Sequence, residues 1–363
     1  MHDLPDAKSV IVLGAGATKA FLEEAPLAID DYNLNGLLTN FRSFHYAKEL
    51  LELERDRRSD GLINIEQLMT RLQGRMPYDS GEAIPQHTHL LSDLKREFVL
   101  RIHLARDGNF HKEELAALAR TCVRKGVTCI TFNYDDVLDQ ALWEVERQYL
   151  QGQSSKHGVK YWHPDGGYGF FVRPSEVMVQ DRNRYMDTTS MLLLKLHGSI
   201  NWYPRKGEKP PYSLNAICHD QDWYPPNFPS LQTPDQGLVV RHLEPDPFLI
   251  PPVLDRSTLA NEPVLQVVWS LAKESLSKAS RVYFVGYSMP VTDLAASFLF
   301  SESVGNGAHL IRVINYATHE EDKDQIRLAY REVFPKLKDD QFSFDGALKW
   351  AQEVSALEHL QET

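Results

Sequence analysis

The stretch Val127–Leu138, with the sequence VTCITFNYDDVL, decides how this chain folds. It begins as an apolar run with the composition of a strand and stops abruptly at Asn133-Tyr134-Asp135-Asp136, before helix-like periodicity resumes. A buried strand therefore delivers a carboxamide and two carboxylates to its own carboxyl end. In an open parallel sheet, that end is the edge at which ligands bind.

Four other stretches repeat this design, in which a short apolar strand runs directly into polar or glycine-containing residues. They are SVIVL (9–13) before Gly14-Ala15-Gly16-Ala17-Thr18, MLLLKL (191–196) before His197-Gly198-Ser199, RVYFV (281–285) before Gly286-Tyr287-Ser288-Met289-Pro290, and LIRVI (310–314) before Asn315-Tyr316-Ala317-Thr318. If these four strands and the one at 127–132 are parallel neighbours, their polar tips lie along one edge. The sequence therefore predicts an α/β fold with a Rossmann-type parallel sheet and a single site.

Composition and charge narrow the class of protein. With 363 residues the chain is long enough for one large domain or two smaller ones, and we predict a single domain over 1–363. Apolar residues at 42% and charged residues at 25% are ordinary globular values. The net charge of −11 argues against a broad phosphate-binding surface, so nucleic acid is not expected as a direct ligand.

Cysteine usage and hydropathy predict a reduced, cytoplasmic setting without a membrane anchor. Cys122, Cys129 and Cys218 form no CxxC pair, which fits free thiols and excludes a four-cysteine zinc site. We expect no bound metal. The chain contains no apolar run of about 18 residues, and the first apolar run is too short and too rich in glycine for a signal sequence.

The region from about 30 to 120 lacks long strand-like runs and is predicted to be a helical insertion packed over the sheet edge. Its predicted helices are Phe41–Leu53, Ile63–Leu72, His89–Leu104 and Glu113–Val123, and their charges are most simply a solvated face. His87 and His89 stand two residues apart, as metal ligands can. With no matching carboxylate or cysteine cluster nearby, surface or capping histidines are the favoured interpretation.

Two irregular insertions follow, Gln151–Thr189 and the Pro-rich Tyr203–Asn261; long loops of this kind are usually binding loops or lids. A C-terminal helix is predicted at about 344–363. It carries an apolar stripe at three-residue intervals that can dock on its own chain or on another subunit, formed by Leu348, Ala351, Val354 and Leu357.

The individual tips have ordinary structural explanations as well as functional ones. Gly14 and Gly16 allow a phosphate to approach backbone N–H groups, yet a glycine pair after a strand also makes a tight connection, and Lys19 breaks the full GxGxxG spacing. Asn133 could equally be a turn former, and His197 a buried histidine satisfied by a carbonyl. Carboxylates after strands also cap helices and turns.

Taken in order, however, the five motifs resemble the sirtuin family, and more closely its bacterial branch that acts in antiphage defence. The resemblance rests on Gly14-Ala15-Gly16-Ala17-Thr18, Thr131-Phe132-Asn133-Tyr134-Asp135, Leu196-His197-Gly198-Ser199, Gly286-Tyr287-Ser288-Met289-Pro290 with Thr292-Asp293, and Ile314-Asn315. It covers about a third of the residues and implies that NAD is the substrate. On the matching positions, Asn133 and His197 would be catalytic, and the cofactor-binding residues would be Gly14, Ala15, Gly16, Thr18, Asp135, Gly286, Ser288, Asp293 and Asn315.

The chain departs from the family pattern in three places, and the first two departures argue against protein deacylation more than against NAD binding. The chain cannot build the four-cysteine zinc module of the family's deacylases. Lys19-Ala20-Phe21-Leu22-Glu23 stands where those enzymes continue their glycine loop with Gly-Ile-Pro-Asp-Phe-Arg, and Thr18 replaces a frequent serine. The resemblance is therefore to a sirtuin-like protein without the zinc module.

The predicted function is NAD glycohydrolysis, giving ADP-ribose and nicotinamide, by an effector that depletes NAD in antiphage defence. An imidazole near neutral pKa suits His197 as the base, and Asn133 can hold a ribose hydroxyl and the attacking water. The alternatives are a module that senses NAD or ADP-ribose without turnover, and a transferase that moves ADP-ribose or an acyl group.

An unrestrained NAD hydrolase would kill its host, so we expect the activity to be restrained. The helical insertion and the Pro-rich loop are the candidate covers of the cleft. If the C-terminal stripe is exposed, it marks an association face, and we expect a homo-oligomer joined by a partner such as a HerA-type ATPase.

Overall fold

The computed structural model describes residues 5–30, 44–74, 77–79, 81, 83–105, 111–152, 162–174, 191–205, 207–219, 246–250, 261–290, 293–304 and 307–362. Thr292 of the fourth motif lies outside these ranges, as do 220–245 and 251–260 of the Pro-rich loop, 153–161 and 175–189 of the preceding insertion, and the first residues of the helix predicted from Phe41.

The strands and helices follow one another in the alternating order expected of an α/β protein. The strands are β1 (Ser9–Leu13), β2 (Ile29–Asp30), β3 (Ile63–Asn64), β4 (Thr128–Thr131), β5 (Arg173–Pro174), β6 (Leu193–Lys195), β7 (Trp202–Pro204), β8 (Ile217–His219), β9 (Arg281–Val285), β10 (Ile311–Ile314) and β11 (Phe342–Ser343). The helices are α1 (Ala15–Phe21), α2 (Phe44–Asp56), α3 (Ile65–Gln73), α4 (Ala83–Ala105), α5 (Lys112–Lys125), α6 (Val137–Gly152), α7 (Pro164–Gly167), α8 (Pro263–Ser277), α9 (Leu294–Val304), α10 (Glu320–Val333) and α11 (Ala347–Glu362). Within the described ranges, no helix is both long and apolar enough to cross a membrane.

The main sheet has six strands in the order β11-β10-β9-β1-β4-β6, and every neighbouring pair is parallel. Numbered by their appearance in this sheet, the strands run 3-2-1-4-5-6 from β6 to β11, the order of dinucleotide-binding doubly wound sheets. The five predicted strands are all present. The sixth, β11, has two residues and too little apolar pattern to be seen in the sequence.

Helices cover both faces of this sheet, as two adjacent residues of β9 demonstrate. Tyr283 packs against Trp350 of α11, with ring centroids 5.7 Å apart. Phe284, the next residue, packs against Phe300 of α9 at 4.9 Å. Because successive side chains of a strand point to opposite faces, α11 and α9 lie on opposite sides. The predicted α/β fold class, with a Rossmann-type parallel sheet, is confirmed.

The helical insertion has its own apolar cluster, separate from the main core. Side chains of α3 and α4, together with Leu51 of α2, pack there against Tyr134, Ile200 and Leu249. The insertion therefore covers the tip of β4. Its predicted end near 120 is wrong, because α5 packs instead into the main core beneath the sheet and against α6.

The stripe on the C-terminal helix is covered by its own chain. Ala351 and Val354 are 0% and 1% exposed, and α11 packs against α5 and α1. Leu348 also packs against the main core. Of the two alternatives that the sequence left open for this stripe, the structure shows docking on its own chain, so Leu348, Ala351 and Val354 do not form an exposed association face.

A buried ion pair ties the ends of β6 and β4 together. Lys195, the last residue of β6, is 0% exposed, and its Nζ lies 3.0 Å from Oδ2 of Asp139 on α6. The same ammonium donates to the backbone carbonyl of Asp135, at the tip of β4. The hydroxyl of Tyr168 donates to Asp139 as well. Burial raises the pKa of the Asp139 carboxyl, and the charge of Lys195 opposes this rise.

The first glycine loop is pressed against the end of β9. The N–H of Gly14 donates to the carbonyl of Val285 at 3.1 Å, and the N–H of Gly16 donates to the carbonyl of Gly286 at 2.9 Å. Gly286 has φ +61°, and a Cβ there would stand 2.0 Å from the backbone nitrogen of Ala17. No side chain fits between these two loops.

This contact predicts different costs for two glycine-to-alanine changes. Gly61 has φ +67°, similar to that of Gly286, but a Cβ there meets nothing within 4 Å. Gly61→Ala should cost about 1–2 kcal/mol of unfolding free energy from backbone strain. Gly286→Ala adds a backbone clash and should cost more than about 4 kcal/mol. Urea unfolding of both variants measures the difference, and equal losses would contradict the close approach.

Candidate functional site

A cleft opens at the carboxyl ends of β1 and β4, under the helical insertion. Sheet tips supply one side of it and the insertion supplies the other. Its lining residues are Ala15, Thr18, Pro26, Ala28, Ile65, Glu66, Met69, Phe98, Ile102, Phe132, Asn133, Tyr134, Asp135 and Leu249. Of the predicted site residues, the cleft therefore brings together Ala15, Thr18, Asn133 and Asp135.

A chain of hydrogen bonds joins three of these residues. The side-chain amide of Asn133 donates to Oγ1 of Thr18 at 2.8 Å and to the carbonyl of Gly14 at 2.8 Å. The Thr18 hydroxyl then donates to Oδ2 of Asp135 at 2.7 Å, and Oδ1 of Asp135 accepts the N–H of Val137 at 3.0 Å. Asp135 thus accepts the N–H of the first residue of α6 and holds the Thr18 hydroxyl in one orientation.

This arrangement narrows what Asn133 can do. Both N–H groups of its carboxamide are committed to the protein, so Oδ1 is the group left to meet a ligand. From the sequence, we expected Asn133 to hold both a ribose hydroxyl and the attacking water. The geometry leaves it an acceptor, suited to a ligand hydroxyl.

His197, at the tip of β6, is enclosed by aromatic rings. It is 2% exposed, with ring centroids 5.3 Å from Phe132, 6.0 Å from Tyr134 and 6.5 Å from Trp269. Neither ring nitrogen has a hydrogen-bond partner within the described residues. Its Nε2 lies 4.0 Å from Oδ2 of Asp293. Burial lowers the pKa of His197, and the Asp293 carboxylate opposes the shift, so the neutral imidazole is favoured.

Residues 246–250 of the Pro-rich loop, here called the strap, lie against His197. The N–H of Ile250 donates to the carbonyl of His197 at 2.9 Å, and the N–H of Ser199 donates to that of Phe248 at 3.0 Å. The hydroxyl of Tyr134 donates to the carbonyl of Ile250 at 3.2 Å. The strap and the aromatic rings separate His197 from the cleft, whose lining residues do not include it.

Asp293 serves two purposes at once. Its Oδ1 accepts the N–H of Ala296 at 3.1 Å and so caps α9, which is the structural role that we considered for carboxylates after strands. Its Oδ2 faces both His197 and the hydroxyl of Tyr287, which lies 3.5 Å away. One carboxylate therefore links the start of a helix to the buried imidazole.

The remaining predicted residues mainly shape the loops. The N–H groups of Gly14 and Gly16 are bonded to the carbonyls of Val285, the last residue of β9, and Gly286. This favours the tight-connection alternative for the glycine pair over direct phosphate contact. Asn315 donates through Nδ2 to the carbonyl of Tyr287 at 2.9 Å and steadies the loop that begins at Gly286. Ser288 is exposed, and neither it nor Asn315 lines the described cleft.

The histidine pair of the insertion does not form a recognisable metal site. His87 is buried on α4, whereas His89 is exposed. In the ranges that the structure describes, no group of three or more His, Cys, Asp or Glu side chains could hold a metal ion. All three cysteines are buried, and none of them is part of a disulfide bond.

Glu66 is a cleft residue that the sequence did not reveal. It lies in the first turn of α3, within the insertion, where charged residues were interpreted as a solvated face. Burial, together with repulsion from Asp293, raises its pKa from 4.5 to about 7. Lys195 was also missed, although a single lysine in the apolar run MLLLKL was a visible signal.

Fold and site together define an α/β protein with a largely apolar cleft, lined by two carboxylates and a carboxamide, at the carboxyl edge of a doubly wound parallel sheet. No protein-family model matches the chain, and no curated protein matches it.

The chain is similar to solved structures of Sir2 enzymes. One, from work on the structural basis for the mechanism and regulation of Sir2 enzymes, covers 98% of this chain and 93% of its own, with 11% identity and a TM-score of 0.41. A complex of a Sir2 homologue with NAD covers 90% of each chain, with 13% identity and a TM-score of 0.36. A Sir2 enzyme bound to a propionylated peptide covers 97% and 93%, with 14% identity and a TM-score of 0.37. Likeness at this level assigns no residue role and no activity.

The Thr18 hydroxyl is predicted to hold the site together. Thr18→Val removes the bonds to Asn133 and Asp135 while keeping the branched shape, and should lower the free energy of unfolding by about 1–3 kcal/mol. Thr18→Ser keeps the hydroxyl and should lose about 0.8 kcal/mol or less, for one methyl group. Urea unfolding of the pair tests this, and a serine variant as unstable as the valine variant would refute it.

Proposed function

We propose that the protein binds NAD at this cleft and hydrolyses the bond between nicotinamide and ribose, releasing nicotinamide and ADP-ribose. Two observations support the proposal. The five motifs that resemble sirtuins occur in the same order in the sequence. The strands that precede these motifs are neighbours in one parallel sheet, so their tips meet at one edge, where ligands of such sheets bind.

The strongest support for NAD as the ligand comes from the aromatic rings and carboxylates that line the cleft. Its walls include the rings of Phe98, Phe132 and Tyr134, and its charged lining residues are Glu66 and Asp135. Within the described part of the chain, no lysine or arginine lines it. An aromatic, acidic cleft suits a flat cation such as the pyridinium ring of NAD. The same carboxylates stabilise positive charge that develops on the ribose as nicotinamide leaves.

Individual residues fit distinct parts of this reaction. Oδ1 of Asn133 can accept a ribose hydroxyl and hold the sugar in one orientation. Asp135 fixes Asn133 through Thr18. His197, neutral and facing Asp293, is suited to accept a proton or a hydrogen bond from a second ribose hydroxyl.

His197 can take part only if the strap moves. This observation favours a second candidate, a module that binds NAD or ADP-ribose without cleaving it. If the protein is an NAD hydrolase, the position of the strap over His197 restrains its activity, and the isolated chain should hydrolyse NAD slowly. We propose that assembly into a homo-oligomer, with a partner such as a HerA-type ATPase, moves the strap and opens the site. The proposed role in antiphage defence rests on the sequence resemblance.

Nicotinamide release is the measurement that tests the proposal. Purified protein incubated with NAD should release nicotinamide and ADP-ribose, resolved by chromatography, without an acetyl-lysine peptide. Asn133→Ala should lower the rate about 100-fold because it removes a positioning group, and His197→Ala should lower it by a similar factor.

A carboxamide outside the cleft provides the control. Gln352 is exposed on α11, and Gln352→Ala should keep the wild-type rate. Binding of NAD with no release of nicotinamide would favour the sensor, and release that depends on an acylated peptide would favour a transferase. Folded Asn133→Ala protein with wild-type turnover would refute the assigned site.

A further inference from the structure

Glu66 is placed in the cleft by a well-anchored helix. The N-terminus of α3 is capped by Asn64, whose Oδ1 accepts the N–H of Gln67 at 3.0 Å. Ile65, Leu68 and Met69 are buried in the cluster of the insertion. The backbone of Glu66 is therefore fixed, and its side chain lines the cleft with Asn133 and Asp135.

The surroundings of Glu66 offer it no compensating charge. Among the described residues, none donates a hydrogen bond to its carboxylate or forms an ion pair with it. The titratable groups that face it are Asp293 and the Tyr287 hydroxyl, with Asp135 in the same cleft. Burial and the repulsion from Asp293 raise the pKa of the Glu66 carboxyl to about 7. It can therefore exchange a proton near neutral pH, as a general base must.

We propose that Glu66 is the general base of the NAD hydrolysis proposed above, and that its carboxylate takes a proton from the attacking water. This inference rests on the proposed function and assigns one step within it.

The step balances without any additional reactant. The water oxygen forms a bond to C1′ of the ribose while one of its protons passes to the Glu66 carboxylate. The bond from C1′ to the pyridinium nitrogen breaks, and its electron pair neutralises the ring, so nicotinamide leaves uncharged. The Glu66 carboxyl then releases its proton to solvent, giving ADP-ribose, nicotinamide and one proton.

The other candidates for this role are already engaged or enclosed. Asp135 holds the Thr18 hydroxyl with one oxygen and the N–H of Val137 with the other. His197 is enclosed by rings and by the strap. Glu66 lines the cleft from the helical insertion, whereas Asn133 and Asp135 line it from the end of β4.

Nicotinamide release by wild-type protein, Glu66→Gln and Glu52→Gln tests the inference between pH 5.5 and 8.5. Glu52 is an exposed carboxylate on α2 and serves as the control. The wild-type rate should rise with pH through about 7 and then level off, because the base must be ionised. Glu66→Gln should lower kcat roughly 10²–10⁴-fold and lose that rise. Glu52→Gln should match the wild type.

Stability gives an independent reading of the same carboxyl. The pKa of Glu66 is higher in the folded protein than in the unfolded chain, so the folded state is favoured while Glu66 is protonated. This contribution to the free energy of unfolding is present at low pH and is lost as pH rises through about 7. Glu66→Gln should therefore unfold at a higher temperature than wild type at pH 8.5, and at a similar temperature at pH 4. The glutamine variant is expected to fold, because it resembles the protonated carboxyl in shape.

Chemical rescue separates a base from a structural role. Formate supplied to Glu66→Ala should restore part of the nicotinamide release, whereas formate supplied to Asn133→Ala should not. Wild-type protein that cleaves NAD alongside a Glu66→Gln variant with unchanged rate and pH profile would overturn the role of Glu66 and leave the proposed function standing. Wild-type protein that releases no nicotinamide would overturn both.

Discussion

The ion pair between Lys195 and Asp139 is the interaction on which the site depends. Burying an ammonium at the end of a strand is costly, and the cost is offset only when the charge is paired and its remaining N–H groups are bonded. Here Asp139 supplies the charge and the carbonyl of Asp135 supplies a further acceptor. The bond to Asp135 locks the turn after β4, so its carboxylate is held where Thr18 can donate to it. Asn201, next to β7, reaches Tyr168 at 3.2 Å, so the small sheet of β5, β8 and β7 is attached to the same anchor.

The side chains of the cleft come from two parts of the protein, the ends of the sheet strands and the helical insertion. The sheet tips are fixed by strand pairing and by the contact between the two glycine loops, and they hold Asn133 and Asp135. The insertion contributes Glu66 and apolar walls through a separate cluster of its own. That cluster also includes Tyr134, Ile200 and Leu249, so any movement of α3 and α4 against the sheet would have to break contacts with these residues. The strap adds a third component, because its backbone bonds to His197 and Ser199 hold it against the imidazole.

The sequence was informative where local pattern determines structure. Five strands were predictable because each is an apolar run that ends in polar or glycine residues, and their arrangement in one parallel sheet follows from the alternation of strands with helices. The stripe on α11 was recognisable as apolar, but nothing local says whether it packs against α5 or another subunit. The end of the insertion was misplaced for the same reason: α5 has the periodicity of any amphipathic helix, and its partner is set by tertiary packing. Glu66 was invisible because its chemistry comes from neighbours more than 60 positions away, such as Asp135 and Asp293.

The position of β1 in the sheet has a consequence for biosynthesis. β1 is made first, yet one of its two neighbours is β9, which begins at Arg281. At about 5–20 residues per second, roughly 15–55 s pass between synthesis of the two strands. During that interval the glycine loop at Gly14 and Gly16 has no partner for its N–H groups, and α1 lacks the helix α11 against which it packs. A nascent chain therefore cannot pair β1 with β9 or pack α1 against α11 until most of its last third has been synthesised.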